Sequence, residues 1–193
     1  MNSLYLVLDI QNDTSNVEGP AGDAPIGAQL RERKTIENTI TAIEKARSAG
    51  IRVGFVRVGF SPDYRECPQN SPIFSAARKA NRFQLGSWGT ELHPSLDVRP
   101  EDLQIIKHRV SPFYATPLMA QLTALRIERI FCSGVSTAAV VQSTVRDGHD
   151  RDFSMVVLED GCAAQSLEEH QASMQSIARF CQVVSVADVD FKA

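Results

Sequence analysis

Residues 129–147 read R-I-F-C-S-G-V-S-T-A-A-V-V-Q-S-T-V-R-D. The opening R-I-F-C-S (129–133) is a short apolar run without polar alternation, as expected of a strand buried on both faces. Residues 137–147 suit a helix. Gly134-Val135-Ser136-Thr137 turns one into the other, and the free N–H groups of a helix start favour negative charge there. A strand feeding a helix is half of a βαβ unit, and the pattern recurs outward in both directions. Strand-like runs lie at 4–9 (LYLVLD), 53–58 (VGFVRV), 104–107 (QIIK), 155–159 (MVVLE) and 182–186 (QVVSV). Between them, residues 35–49 place Ile36, Ile40 and Ile43 on one helical face, and Gly50 stops that helix. Thr116-Pro117 starts another helix, with Leu118, Leu122 and Leu125 along one side. Ser166-Leu167-Glu168-Glu169 is a capping box opening a helix to about Phe180. Six apolar strands separated by helices predict an α/β fold, a six-stranded parallel sheet in a three-layer α/β/α arrangement with right-handed crossovers.

The chain has 193 residues, a length that suits one domain, 1–193. Hydrophobic residues are 43% and charged residues 22%, enough to bury a core and too apolar for global disorder. The net charge of -3 argues against a nucleic-acid footprint. No apolar run approaches the roughly 20 residues that span a bilayer. The N-terminus, MNSLYLVLDIQND, has no basic region and no small-residue cleavage site, so a cytoplasmic location is expected. Cys67, Cys132, Cys162 and Cys181 form no C-x-x-C pair and no zinc signature, and read as buried reduced thiols. Residues 11–33 and 59–100 are too long for simple connections, and read as binding loops, lids, surface excursions or a dimer contact.

Ligands of open α/β sheets bind beyond the carboxyl ends of the strands. The first strand ends in Asp9, the QIIK strand in Lys107, and the 129–133 strand in the Gly134–Thr137 turn. Burial after an apolar run raises the Asp9 pKa, and a nearby Lys107 lowers it. Such a pair is either a proton donor and acceptor or a structural ion pair.

Five segments resemble the isochorismatase-like hydrolases: D-I-Q-N-D (9–13), E-L-H-P (91–94), K-H-R-V-S-P-F-Y-A-T-P-L (107–118), S-G-V-S-T-A-A-V-V-Q-S-T-V-R-D (133–147) and V-L-E-D-G-C-A-A (157–164). The resemblance implies a six-stranded parallel sheet, a homodimer or higher homo-oligomer, a small-molecule substrate, and a non-proline cis peptide at Gly134–Val135. Most members are cysteine hydrolases with an Asp–Lys–Cys triad. Asp9 and Lys107 match the first two, and Val140 occupies the nucleophile position. Valine has no nucleophilic atom, so the thioester route is closed there. Isochorismatases proper also lack the thiol and hydrolyse a vinyl ether by general-acid catalysis from the Asp. By that resemblance Gln11, Trp88, Gly134, Val135, Ser136 and Thr137 are expected to bind substrate, and Arg82 or Arg109 to meet an anionic group. Val140 is bulkier than the glycine of those enzymes and narrows the pocket. No cofactor or metal is expected. The stretch after the second strand has no histidine where nicotinamidases bind metal, and His93, His108, His149 and His170 show no i, i+4 pairing. The leading expectation is a small-molecule hydrolase using Asp9 without a thiol. The alternatives are a catalytically silent member that binds a ligand or partner, and an amidohydrolase with a displaced cysteine, Cys67 being the nearest candidate.

Overall fold

The computed structural model describes residues 1–192; residue 193, the last of the expected domain, lies outside them. Six strands form one parallel sheet: β1 (Ser3–Leu8), β2 (Arg52–Val58), β3 (Leu103–Lys107), β4 (Arg129–Val135), β5 (Ser154–Ala163) and β6 (Gln182–Val184), in the order β3-β2-β1-β4-β5-β6. Helices α1 (Asn12–Ser15), α2 (Pro25–Glu32), α3 (Thr35–Ser48), α4 (Pro72–Lys79), α5 (Leu118–Ala124), α6 (Gln142–His149) and α7 (Leu167–Ile177) complete the chain.

Apolar strands without alternation demand cover on both faces, and β1 shows how that is met. Tyr5 and Val7 pack on one side with Phe55, Phe131 and residues of α2 and α3. Leu4, Leu6 and Leu8 pack on the other with Ile105 and residues of α5, α6 and α7. This is the expected three-layer α/β/α fold. A third apolar cluster, Val58, Phe60, Tyr64, Cys67, Phe74, Ala77 and Phe83, has its buried members within residues 58–83, with Val110 packed against them, and seats α4.

The strand order fixes where a ligand can sit. The chain runs from β1 outward to β2 and β3, then returns to place β4 on the other side of β1. Connections therefore diverge between the carboxyl ends of β1 and β4, opening a crevice there. Gly134 makes the β4 end fit against β1. Its φ is +144°, and a Cβ there would lie 2.0 Å from the Leu8 carbonyl oxygen. Neither backbone can yield cheaply, so Gly134→Ala is expected to destabilise the fold by about 2–4 kcal/mol. Urea unfolding measures it, and a loss under about 1 kcal/mol would contradict this packing.

Several details differ from the sequence expectation. The non-proline cis peptide lies at Val135–Ser136, one bond later than the family pattern implied. Residues 137–147 are not one α-helix: Thr137–Val141 form a π-helical turn before α6. The long segments 11–33 and 59–100 carry α1, α2, α4 and a 3₁₀ turn at Trp88–Thr90. The proline at the start of α2 and of α4 supplies a local signal for both helices. The last strand is shorter than 182–186, and α7 ends at Ile177. Ser166 caps α7 as expected, accepting from the Glu169 N–H at 3.1 Å.

Candidate active site

Asp9 follows β1 directly, with φ +53°, a left-handed conformation that aspartate tolerates better than most residues. Its N–H donates to the Val56 carbonyl at 2.8 Å, so the turn stays tied to β2. Lys107 ends β3, two strands away. At about 4.8 Å per strand the two backbones are roughly 10 Å apart, a span that a lysine and an aspartate side chain can close together. They do: Lys107 Nζ lies 2.8 Å from Asp9 Oδ2, and the two side chains are only 2% and 7% exposed. Lys107 Nζ also donates to the Arg109 carbonyl at 3.1 Å. Asp9 Oδ1 is buried and has no hydrogen-bond partner among the described residues. Burial pushes the Asp9 carboxyl above the usual carboxylate range, outweighing the opposing pull of the Lys107 ammonium.

Asp9 and Lys107 open onto a cavity of about 480 Å³ at the β1–β4 crevice. Val135, Ser136, Ala139 and Val140 form one wall, and Ile73, Phe74, Ala77 and Ala80 of the α4 region another. The remaining lining includes Arg82, Phe83 and Asp13. Arg82 donates from Nη2 to the Asp13 carbonyl and lies 5.1 Å from the Phe83 ring centre; its buried Nε is 4.0 Å from Asp13 Oδ1 and makes no hydrogen bond among the described residues. The Asp13 carboxylate accepts from the Phe83 N–H at 2.7 Å, which ties α1 to the segment after α4.

Of the residues expected from the sequence, Asp9, Lys107, Val135, Ser136 and Val140 meet at this cavity. Gln11, Trp88, Gly134 and Thr137 are not among its lining residues. The Gln11 amide is fully buried and spent on β2, accepting from the Val58 N–H at 2.8 Å and donating to the Val58 carbonyl at 3.0 Å. Trp88 is 48% exposed, and its ring lies against Gly19. Gly134 is a packing residue, and Thr137 is buried with its hydroxyl 2.9 Å from His170 Nδ1. Arg109 is held by carbonyls, donating to Glu66 at 2.8 Å and His108 at 2.6 Å. A ring packed on a loop glycine and an amide bonded to a neighbouring strand leave no periodic trace, so only the family resemblance points them at substrate. The apolar α4 wall was missed for the same reason.

No cysteine lines the cavity. Cys132 and Cys162 are fully buried in β4 and β5, and burial raises Cys132 well above the usual thiol value and Cys162 to about 12. Cys67 is buried in the third apolar cluster, where desolvation also raises its pKa, and Cys181 is raised to about 11. A thiol held protonated is a poor nucleophile, so the displaced-cysteine alternative has no geometric support. Among the described residues, no three His, Cys, Asp or Glu side chains gather as a metal site, and no helix is long and apolar enough to cross a membrane.

Comparison with known proteins agrees with this architecture. The isochorismatase domain model matches residues 3–188. The chain belongs to the isochorismatase family, a family of hydrolases. It is 33% identical over 193 residues to the ureidoacrylate amidohydrolase RutB of Acinetobacter baylyi, covering 93% of this chain and 78% of that one. It is 35% identical over 150 residues to YecD, an isochorismatase family protein of Escherichia coli O157:H7, covering 75% of this chain and 76% of that one. Among solved structures, N-carbamoylsarcosine amidase from Thermoplasma acidophilum shares the fold with a TM-score of 0.77 and 22% identity, over 98% of this chain and 99% of that one.

Proposed function

We propose that this chain hydrolyses a small, anionic molecule by proton transfer from Asp9, without a thiol nucleophile. The observation that carries this reading is the Asp9 carboxyl itself: Oδ2 rests on the Lys107 ammonium, buried Oδ1 has no hydrogen-bond partner among the described residues, and the side chain lines the same cavity as aliphatic Val140. With its pKa raised by burial, Asp9 keeps a proton to higher pH than a free carboxyl, and Oδ1 is the oxygen free to carry it. Protonation of a vinyl-ether carbon from Oδ1 leaves an oxocarbenium ion and an Asp9 carboxylate, which Lys107 steadies. Water adds to the ion with no covalent intermediate on the protein, its surplus proton returns to Asp9, and the hemiketal breaks its C–O bond to release the alcohol and the carbonyl product. Arg82 Nε, which makes no hydrogen bond among the described residues and lies 4.0 Å from Asp13 Oδ1, offers a donor to a substrate carboxylate in the same cavity.

The names of the curated relatives favour a second reading, amide hydrolysis. At this site that reaction would use water as the nucleophile and Asp9, once ionised, as its base. A panel of vinyl-ether acids and N-carbamoyl or ureido acids separates the two. Under either reading, turnover survives iodoacetamide, and complete inactivation by alkylation would overturn the thiol-free proposal. Tight ligand binding with no turnover on either arm would indicate a silent binding protein instead.

Val140→Cys offers a complementary check. If the rest of the triad is intact, the introduced thiol sits beside Asp9 and Lys107 and gives iodoacetamide-sensitive amidase activity. A variant that folds, alkylates readily and cleaves no amide would show that position 140 is not aligned with the acid pair.

A further inference from the structure

The residues that hold the Val135–Val140 wall form a second polar cluster, outside the cavity. Strand β5 is irregular: Cys132 of β4 pairs with Val157, but Gly134 pairs with Cys162, so extra residues bulge out of β5 between them. Arg33, at the end of α2, grips this bulge through Nη2 to the Glu159 carbonyl at 2.9 Å and Nε to the Cys162 carbonyl at 3.0 Å. Asn38 of α3 adds a bond to the Asp160 carbonyl at 3.0 Å. The bulge presents the Glu159 carboxylate to α7. Glu159 Oε2 lies 2.8 Å from Arg33 Nη2 and 3.2 Å from His170 Nε2. His170 Nδ1 in turn lies 2.9 Å from the Thr137 hydroxyl. Thr137 and His170 are buried, and Thr137 opens the π-helical turn that carries Val140.

One protonation pattern satisfies every member. Glu159 can only accept, so His170 carries its proton on Nε2 and donates to Glu159. Nδ1 is then an acceptor, and the Thr137 hydroxyl donates to it. Burial and Arg33 both hold His170 below its usual pKa, which favours this neutral form. The order of groups is that of a hydroxyl–imidazole–carboxylate relay, yet Thr137 is sealed from the cavity and cannot reach a substrate.

We propose that Thr137, His170 and Glu159 are positioning residues, a hydrogen-bonded strut that sets the Ser136–Val140 wall against Asp9 and so shapes the cavity. The strut takes its rigidity from the Arg33-braced bulge of β5 and transmits it through α7 to the π-helical turn. A polar network whose Thr137–His170 end is buried and whose every step is satisfied fixes one arrangement, whereas an apolar substitute would let the turn settle in several. The role rests on the cavity being the working site proposed above, but its test does not depend on turnover.

The test uses Val140→Cys as a reporter, reading the rate at which iodoacetamide alkylates the thiol at the cavity wall. Thr137→Val deletes only the hydroxyl, His170→Phe removes both links, and His170→Asn retains a polar atom near Nδ1. Thr137→Val and His170→Phe are each expected to change the alkylation rate at least about 5-fold, and together no more than the larger single effect. His170→Asn should restore most of the rate. Urea midpoints measured on the same proteins separate loosening of the wall from loss of fold. Rates within about 2-fold of the parent, or strictly additive effects, would reduce the cluster to ordinary core structure and overturn the proposal. Where a turned-over substrate is in hand, Thr137→Val lowers kcat and leaves KM nearly unchanged. If no substrate is turned over, the hydrolase reading fails while the alkylation result still decides the strut.

Discussion

Asp9→Asn is expected to remove turnover, by about 10²–10⁴-fold, while ligand binding persists. Asparagine keeps the shape of aspartate and still offers Lys107 Nζ an acceptor at the position of Oδ2, 2.8 Å away. It cannot release a proton from Oδ1. The loss therefore falls on kcat, and KM should stay within a few-fold of the parent. The pH profile carries the same signature. With its carboxyl raised above the ordinary range, the acid form declines as pH climbs through that raised value, so vinyl-ether turnover falls on the alkaline side. Amide hydrolysis with Asp9 as base would show the opposite limb, rising over the same interval. Turnover in Asp9→Asn within about 3-fold of the parent would remove Asp9 from the chemistry.

Lys107→Met is expected to be the most damaging single change to the site's stability. Both side chains of the pair are nearly sealed from water, so removing the ammonium strands a carboxyl in a dry wall. Breaking a buried pair from one side typically costs about 3–5 kcal/mol. The loss should depend on pH with a definite sign. Without Lys107 the two influences that lower the Asp9 pKa vanish and desolvation acts alone, so the native value moves further up. Between the unfolded and native values the native state then binds a proton that the unfolded chain has released. Stability accordingly falls as pH rises through that window and recovers at acid pH, where Asp9 is neutral in both states. Urea unfolding at acid and neutral pH reads both terms. A loss below about 1 kcal/mol at neutral pH would mean that the pair is solvated and not the buried element described.

The legible part of this molecule was the part governed by burial. Strands such as LYLVL and RIFCSGV must be covered on both faces, and that requirement alone gave the parallel sheet and its layers. Reading the residue at each strand end then brought Asp9 and Lys107 to one edge, because parallel strands place all carboxyl ends together. The reading of Val140 as the thiol position rests on the family pattern, since nothing in its local sequence marks it. What stayed hidden depends on contacts between distant segments. The cavity side of α4 is set by an aromatic cluster within residues 58–83, and no sequence period reports which side of a short helix faces a hole. Trp88 and Gln11 were read as substrate contacts from the family pattern, but one packs on Gly19 and the other holds β2. His170 leaves no such signal in the sequence. A histidine on the helix after V-L-E-D-G-C-A-A faces a carboxylate only because β5 bulges there, and a bulge is not written in hydrophobic periodicity.

An NMR titration of isotopically labelled aspartate, with the Asp9 resonance assigned by its loss in Asp9→Asn, measures the proton on which the chemistry depends. The Asp9 carboxyl should titrate above the ordinary aspartate range and move further up in Lys107→Met. A carboxyl that titrates at or below that range, with no response to Lys107, would leave the cavity without an acid and contradict hydrolysis by Asp9.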